Sequence, residues 1–148
     1  MKKIFKTILI SAGGTAGHAI PAIEVANEFA RGNYKIIFIT DNRMYNLVKN
    51  HAKSNNNIKV MCFKGRGLYR SNILQNIKSL LLLTVSVLQS IHAIIIHRPI
   101  LSYGFGGGIT VPPILICNYF KVPIILHEGN VVVGRANIFL SKYAKLIT

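Results

Sequence analysis

Carboxylates are nearly missing from this chain: Glu24, Glu28, Asp41 and Glu128 stand against 18 lysines and arginines in 148 residues, a formal net charge of +14. Such a balance points to an anionic partner, whether nucleic acid, an anionic membrane surface or a phosphate-bearing ligand. The two cysteines, Cys62 and Cys117, have no CxxC spacing and no histidine cluster beside them. They support neither a zinc site nor a disulfide framework, and fit a reduced cytosolic setting. Charged residues make up only 15% against 51% hydrophobic ones, with no low-complexity tract, which excludes disordered, collagen-like and long coiled-coil classes. No GxxxxGK[ST] phosphate loop, HExxH zinc motif or GxSxG elbow occurs.

Long apolar runs are scarce as well. Thr7 to Ala12, behind the basic Met1 to Lys6, is shorter than the roughly 7–15 residues of a signal-peptide core and reads as a first strand. Residues 79–97 carry no Lys, Arg, Asp or Glu, but Ser79, Thr84, Ser86, Gln89, Ser90, His92 and His97 interrupt them, against a transmembrane span of about 20 apolar residues.

Short β-rich runs alternate with helical patterns, the signature of a parallel sheet covered by helices. Strands are expected at Thr7–Ala12, Lys35–Thr40, Ile58–Phe63, Ile100–Tyr103, Ile124–His127 and Lys145–Thr148. The first helix places Pro21 in its first turn, a stripe of Ala22, Val25, Ala26 and Phe29 inward, and a stop at Gly32. Helices follow at Met44–Lys53, from Asn72 into the early nineties, at Val111–Phe120 behind Pro112 and Pro113, and at Arg135–Lys142. The helix from Asn72 is apolar around nearly its whole circumference and calls for two apolar neighbours. The length suits one domain with one core.

Ligands of open α/β sheets bind beyond the carboxyl ends of the strands. Three loops there are unusual. Gly13-Gly14-Thr15-Ala16-Gly17-His18 joins the first strand to the first helix, where backbone N–H groups favour phosphate and His18 offers a base near neutral pH. Its competing reading is a tight turn with a surface histidine. Gly104-Phe105-Gly106-Gly107-Gly108 holds more glycine than packing readily explains, although a flexible connector reads the same. His127-Glu128-Gly129-Asn130 ends the fifth strand with one of the four acids, alternatively mere charge balance. Convergence of the three on one edge favours a single ligand site. Asp41 at the end of the second strand keeps a dinucleotide-binding domain open as an alternative, but the G-x-G-x-x-G fingerprint is absent.

Those three motifs, with Pro21-Ala22, Pro112-Pro113 and Gly134-Arg135-Ala136-Asn137, together resemble the amino-terminal domain of the MurG family over essentially the whole chain. The resemblance implies an α/β fold, a Rossmann-like parallel sheet with helices on both faces, as in the amino-terminal half of a GT-B glycosyltransferase. It further implies an inverting transfer of N-acetylglucosamine from UDP-GlcNAc to lipid I, the undecaprenyl-diphosphate-linked muramoyl-pentapeptide, giving lipid II, at the cytoplasmic membrane face and with no metal or other cofactor. By the same resemblance His18 is the candidate base, Thr15, Ala16, Gly17 and Asn130 approach the donor, and Gly13, Gly14, Gly104, Gly106, Gly107 and Glu128 line the acceptor-diphosphate loops. Ala16, Gly108 and Gly129 stand where the family usually has glycine, tyrosine and glutamine. A methyl at position 16 would cost about 1–2 kcal/mol if the backbone there were left-handed. The donor-binding half is expected to lie outside the 148 residues, so the chain should bind better than it catalyses, as a partner of a separate donor domain or as a non-catalytic remnant or binding subunit.

The helix from Asn72 then reads as a membrane patch of Ile73, Ile77, Leu80, Leu81 and Leu88 rimmed by Lys64, Arg66, Arg70 and Lys78, each cation near anionic lipid worth about 1 kcal/mol. A buried core helix is the competing reading. Nucleic acid is disfavoured, because the basic residues are scattered and no helix-turn-helix, RRM or KH signature occurs.

Overall fold

The computed structural model describes residues 6–52, 55–64 and 73–148, with the backbone alone in 73–80. Six strands, β1 (Thr7–Ser11), β2 (Lys35–Thr40), β3 (Ile58–Cys62), β4 (Leu101–Gly104), β5 (Ile124–Leu126) and β6 (Leu146–Ile147), form one sheet in the order β3-β2-β1-β4-β5-β6. Every pairing is parallel, with Ile10 opposite Phe38 on one side and Tyr103 on the other. The helices are α1 (Ala16–Arg31), α2 (Tyr45–Ala52), α3 (Ile73–His97), α4 (Val111–Tyr119) and α5 (Arg135–Leu140).

Parallel strands must be covered on both faces, and alternate residues of β1 and β2 supply two cores. Ile8, Ile10, Ile36 and Phe38 meet Ala19, Ala22, Ile23 and Ala26 of α1 and Val48 of α2. Leu9, Ile37 and Ile39 share the opposite core with Ala93 and Ile94 of α3 and Ile114 and Cys117 of α4. The expected strands appear within a residue or two of their bounds.

Helix α1 stops at Gly32 as expected, though by a different device, and its start departs from expectation. Helix α1 starts at Ala16, so Pro21 lies inside it and has no N–H to offer the Gly17 carbonyl. At the other end Gly32 has an ordinary φ of −73°, and the left-handed residue is Asn33 at φ 63°. Asn33 and Tyr34 donate back to the carbonyls of Ala30 and Phe29, and the Phe29 and Tyr34 rings meet edge-on at 5.8 Å, which closes the helix in a Schellman motif.

Helix α3 runs to His97, beyond the expected early nineties. Its inward residues are small, Ser86, Ser90 and Ala93 with Ile94, while Leu81, Val85 and Leu88 are exposed. Its two apolar neighbours are the sheet and α4. They cover one flank, and among the described residues the other stays open. No helix among the described residues is long and apolar enough to cross a membrane.

Candidate functional site

The strand order changes direction between β1 and β4, so a crevice forms beyond their carboxyl ends. The two glycine loops leave β1 and β4 there and meet backbone to backbone, Gly107 against Gly13. The 127–134 segment leaves β5, the neighbouring strand.

Gly14 has a φ of +91° and donates its N–H to Oδ2 of Asp41 at 3.0 Å. Asp41 is only 4% exposed, and a buried carboxylate needs hydrogen bonds on both oxygens. Oδ1 accepts from the backbone N–H of Arg43 (3.1 Å) and Met44 (3.2 Å), and Oδ2 also accepts from Arg43 Nη2 (2.9 Å) and Nε (3.3 Å). Asp41 is thus the prop of the first loop. That removes the ribose-binding role a dinucleotide domain would give it, because both oxygens are engaged within the chain.

Thr15 is extended at the amino end of α1, but its hydroxyl does not cap the helix. Its Oγ1 lies 2.9 Å from Nδ1 of His18 instead. The Thr15 carbonyl accepts from His18 and Ala19 at 3.2 Å each, which leaves the Ala16 and Gly17 N–H groups without a bond to any described residue. Ala16 is exposed and helical, so the left-handed strain considered for its methyl does not arise.

His18 is held from three sides. A Cβ on Gly106 would stand 2.9 Å from its Cδ2 and 3.0 Å from its Nε2, so the ring lies flush on that glycine. Asn130 Nδ2 is 3.5 Å from Nε2 and 2.7 Å from Oε1 of Glu128. The carboxylate can only accept, so it fixes which end of the Asn130 amide carries hydrogen and turns that end towards His18. An Nε2 that faces a donor is best unprotonated, with Nδ1–H donating to Thr15. That tautomer leaves the lone pair on Nε2.

Glu128 accepts from the N–H of Asn130 (2.9 Å) and Gly134 (2.9 Å) and from Asn137 Nδ2 (2.9 Å). Desolvation pulls its pKa up, but these backbone and side-chain bonds outweigh it and hold the group at about 2. Asn137 also donates to the His127 carbonyl at 2.9 Å, and its own buried Oδ1 has no partner among the described residues.

All eleven predicted cleft residues gather at this edge, yet the reason for three glycines differs from the one expected. A Cβ on Gly104 would meet Thr110 at 2.8 Å and Leu126 at 3.0 Å, one on Gly106 would meet His18, and one on Gly107 the Gly13 carbonyl. Packing therefore explains Gly104, Gly106 and Gly107, because neighbouring protein fills the space beside each. Gly108 begins a 3-10 turn, and a Cβ at Gly129 would make only ordinary contact with His127 at 3.5 Å. Sequence reasoning missed Arg43 and the anchoring part of Asn137. The available signal was the proximity of Arg43 to one of four acids just past a strand end.

Of the residues expected to form a membrane patch, Leu81 and Leu88 are 64% and 61% exposed and Lys64 is exposed. Ile73, Ile77, Lys78 and Leu80 are described only as helical backbone, and Arg66 and Arg70 lie outside the described residues. Among the described residues no group of three His, Cys, Asp or Glu side chains could hold a metal ion.

Residues 8–148 match the glycosyltransferase family 28 N-terminal domain. A UDP-N-acetylglucosamine–N-acetylmuramyl-(pentapeptide) pyrophosphoryl-undecaprenol N-acetylglucosamine transferase of Rickettsia rickettsii (strain Sheila Smith) is 34% identical over 96% of this chain and 35% of that protein. The transferase of the same name from Haemophilus ducreyi is 35% identical over 96% of this chain and 39% of that protein. The crystal structure of Acinetobacter baumannii MurG superposes with a TM-score of 0.79 at 22% identity, over 96% of this chain and 40% of that one. A UDP-GlcNAc 2-epimerase from Neisseria meningitidis, bound to UDP-GlcNAc, superposes at 0.65 with 16% identity, over 94% and 39%. The chain therefore spans little more than a third of the length of the curated relatives it matches.

Proposed function

The chain belongs to the glycosyltransferase family 28 N-terminal domain family, and from that membership we propose that it is the acceptor-binding half of a transferase that moves N-acetylglucosamine from UDP-GlcNAc to lipid I. The observation that carries the reading is the placement of His18, with Thr15 at Nδ1 and Asn130 beside Nε2, where the two glycine loops meet. In this reading Nε2 takes the proton of the acceptor hydroxyl as the hydroxyl oxygen bonds to the anomeric carbon. The bond from that carbon to the UDP phosphate oxygen breaks, and the configuration inverts. The leaving diphosphate needs donors aimed at its developing charge, and because the chain matches only about a third of its curated relatives' length, transfer is tested with the remainder of a relative supplied.

The exposed stripe of Leu81, Val85 and Leu88 on α3 supports attachment to an anionic membrane surface, at its cytoplasmic face, with Lys64 among the flanking cations. Lipid-linked acceptor would be met at that surface.

The test supplies the carboxy-terminal half of the Haemophilus ducreyi relative in trans and follows labelled N-acetylglucosamine into lipid I held in anionic vesicles. Transfer should need both halves and fall at least about 100-fold in His18→Ala. Full transfer by a folded His18→Ala chain removes the base assignment, and failure of the intact chain to retain lipid I on vesicles removes the acceptor role. In the same vesicles a folded Leu81→Glu/Leu88→Glu variant should no longer float, and undiminished flotation removes the patch.

A further inference from the structure

We propose that Arg43 is a diphosphate-binding residue of this cleft, a cation set in place by the buried Asp41 and directed at the first glycine loop. The inference rests on the transferase reading only for the identity of the diphosphate that arrives. The ion pair is lopsided: the Asp41 side chain is 6% exposed and that of Arg43 60%. Asp41 already receives three backbone N–H groups, from Gly14, Arg43 and Met44, so its charge is well supported without a guanidinium. Arg43 spends Nε and one Nη2 hydrogen on Asp41, and its remaining three N–H groups have no bond to a described residue.

Those two bonds hold the guanidinium in one orientation, so little side-chain freedom is left to lose when an anion arrives. Its position is equally telling. Nη2 lies 3.6 Å from where a Cβ of Gly14 would stand, so the cation sits against the open side of the loop. The partnerless N–H groups of Ala16 and Gly17 follow two and three residues later, and Gly14 and Ala16 Cα atoms can be no more than about 7 Å apart. A fixed cation beside Gly14 and two free amides two and three residues further on suit a ligand with two adjacent phosphoryl groups. Glu128, the other acid of the cleft, has both oxygens engaged by Asn130, Gly134 and Asn137, so it offers Arg43 no competing partner.

The diphosphate could belong to a nucleotide sugar or to a polyprenyl lipid, and the experiment separates them. Inorganic pyrophosphate is titrated into the folded 148-residue chain and followed by amide NMR, with Arg43→Gln and Arg43→Lys alongside. The Gly14, Ala16 and Gly17 amides should shift in the parent chain. Affinity should fall on the order of tenfold in Arg43→Gln, with part of it kept in Arg43→Lys, because the charge survives and the fork does not. Should Arg43→Gln not fold, Arg43→Lys carries the comparison. A purely structural arginine would lower the unfolding midpoint of the variants and leave pyrophosphate affinity unchanged, and that result overturns the proposal, as does absence of pyrophosphate binding by the parent chain. Competition by UDP-GlcNAc assigns the site to the nucleotide sugar, and competition by farnesyl diphosphate assigns it to the lipid. Arg43-dependent pyrophosphate binding that neither displaces leaves Arg43 standing and removes the transferase reading. Equal affinities in parent and variants with lipid I still retained do the reverse.

Discussion

The two glycine loops are alike in composition but differ in how much of each is packed against protein. Beside Gly104, Gly106 and Gly107 the space a side chain would take is already protein: Thr110 and Leu126, the His18 ring, and the Gly13 backbone. Beside Gly14 the nearest atom to a new Cβ is Arg43 Nη2 at 3.6 Å, and beside Gly17 it is Thr15 Oγ1 at 3.7 Å. The second loop is glycine-rich so that chain can press on chain. In the first loop Gly13 is packed in the same way, with Ile109 2.6 Å from where its Cβ would stand, and only Gly14 and Gly17 have no neighbour closer than 3.6 Å. Glycine content alone does not tell a binding loop from a packing one, and the occupant of the missing Cβ does.

The contrast breaks most sharply at Gly107. Its φ of 84° with ψ 155° is a region almost closed to other residues, and a Cβ there would strike the Gly13 carbonyl. Gly107→Ala should cost at least about 3 kcal/mol and lower the urea midpoint accordingly, the combined effect of backbone strain and a backbone collision. A Gly107→Ala chain as stable as its parent would mean that the loops do not meet as described.

Much of this was legible beforehand. Alternating β-rich runs and helical stripes predicted all six strands, because parallel strands buried on both faces are continuous apolar runs such as KIIFIT. The cleft residues were legible as loops at strand ends. What stayed hidden depended on long-range register. Asp41 reads as a ribose acceptor until Gly14, 27 residues earlier, is seen to donate to it. The outward turn of Leu81 and Leu88 was legible as the patch reading of α3, whereas the small inward face of Ser86, Ser90 and Ala93 was not.

A smaller effect is expected at Glu128, which ties the third loop to the other two through Asn130. Its carboxyl is held at about 2 against an ordinary 4.5. A depressed pKa means that the folded state binds the proton less readily, so the stabilisation is complete above about pH 4.5 and is lost as pH falls towards 2. The half-exposed site should contribute about 1 kcal/mol. Urea midpoints measured between pH 6 and pH 2 should fall more steeply for the parent than for Glu128→Gln. Parallel slopes would show that the cluster does not hold the carboxylate.

The comparison sharpens at Gly17, where the expected structural effect is least and the functional one is separable from it. Gly17 is the second residue of α1, and nothing nearer than 3.7 Å would meet its new methyl. Glycine inside a helix is less favourable than alanine by roughly 0.5–1 kcal/mol, and in this first turn the gain from Gly17→Ala should be a few tenths of that order. The variant should therefore unfold at the same or a slightly higher urea concentration, the opposite sign to Gly107→Ala. If the open side of the first loop receives a ligand, the same methyl stands in its path beside the free Ala16 and Gly17 amides. Pyrophosphate affinity should then drop several-fold while stability holds. Loss of stability would place Gly17 with the packing glycines, and unchanged affinity would show that nothing needs the space it leaves.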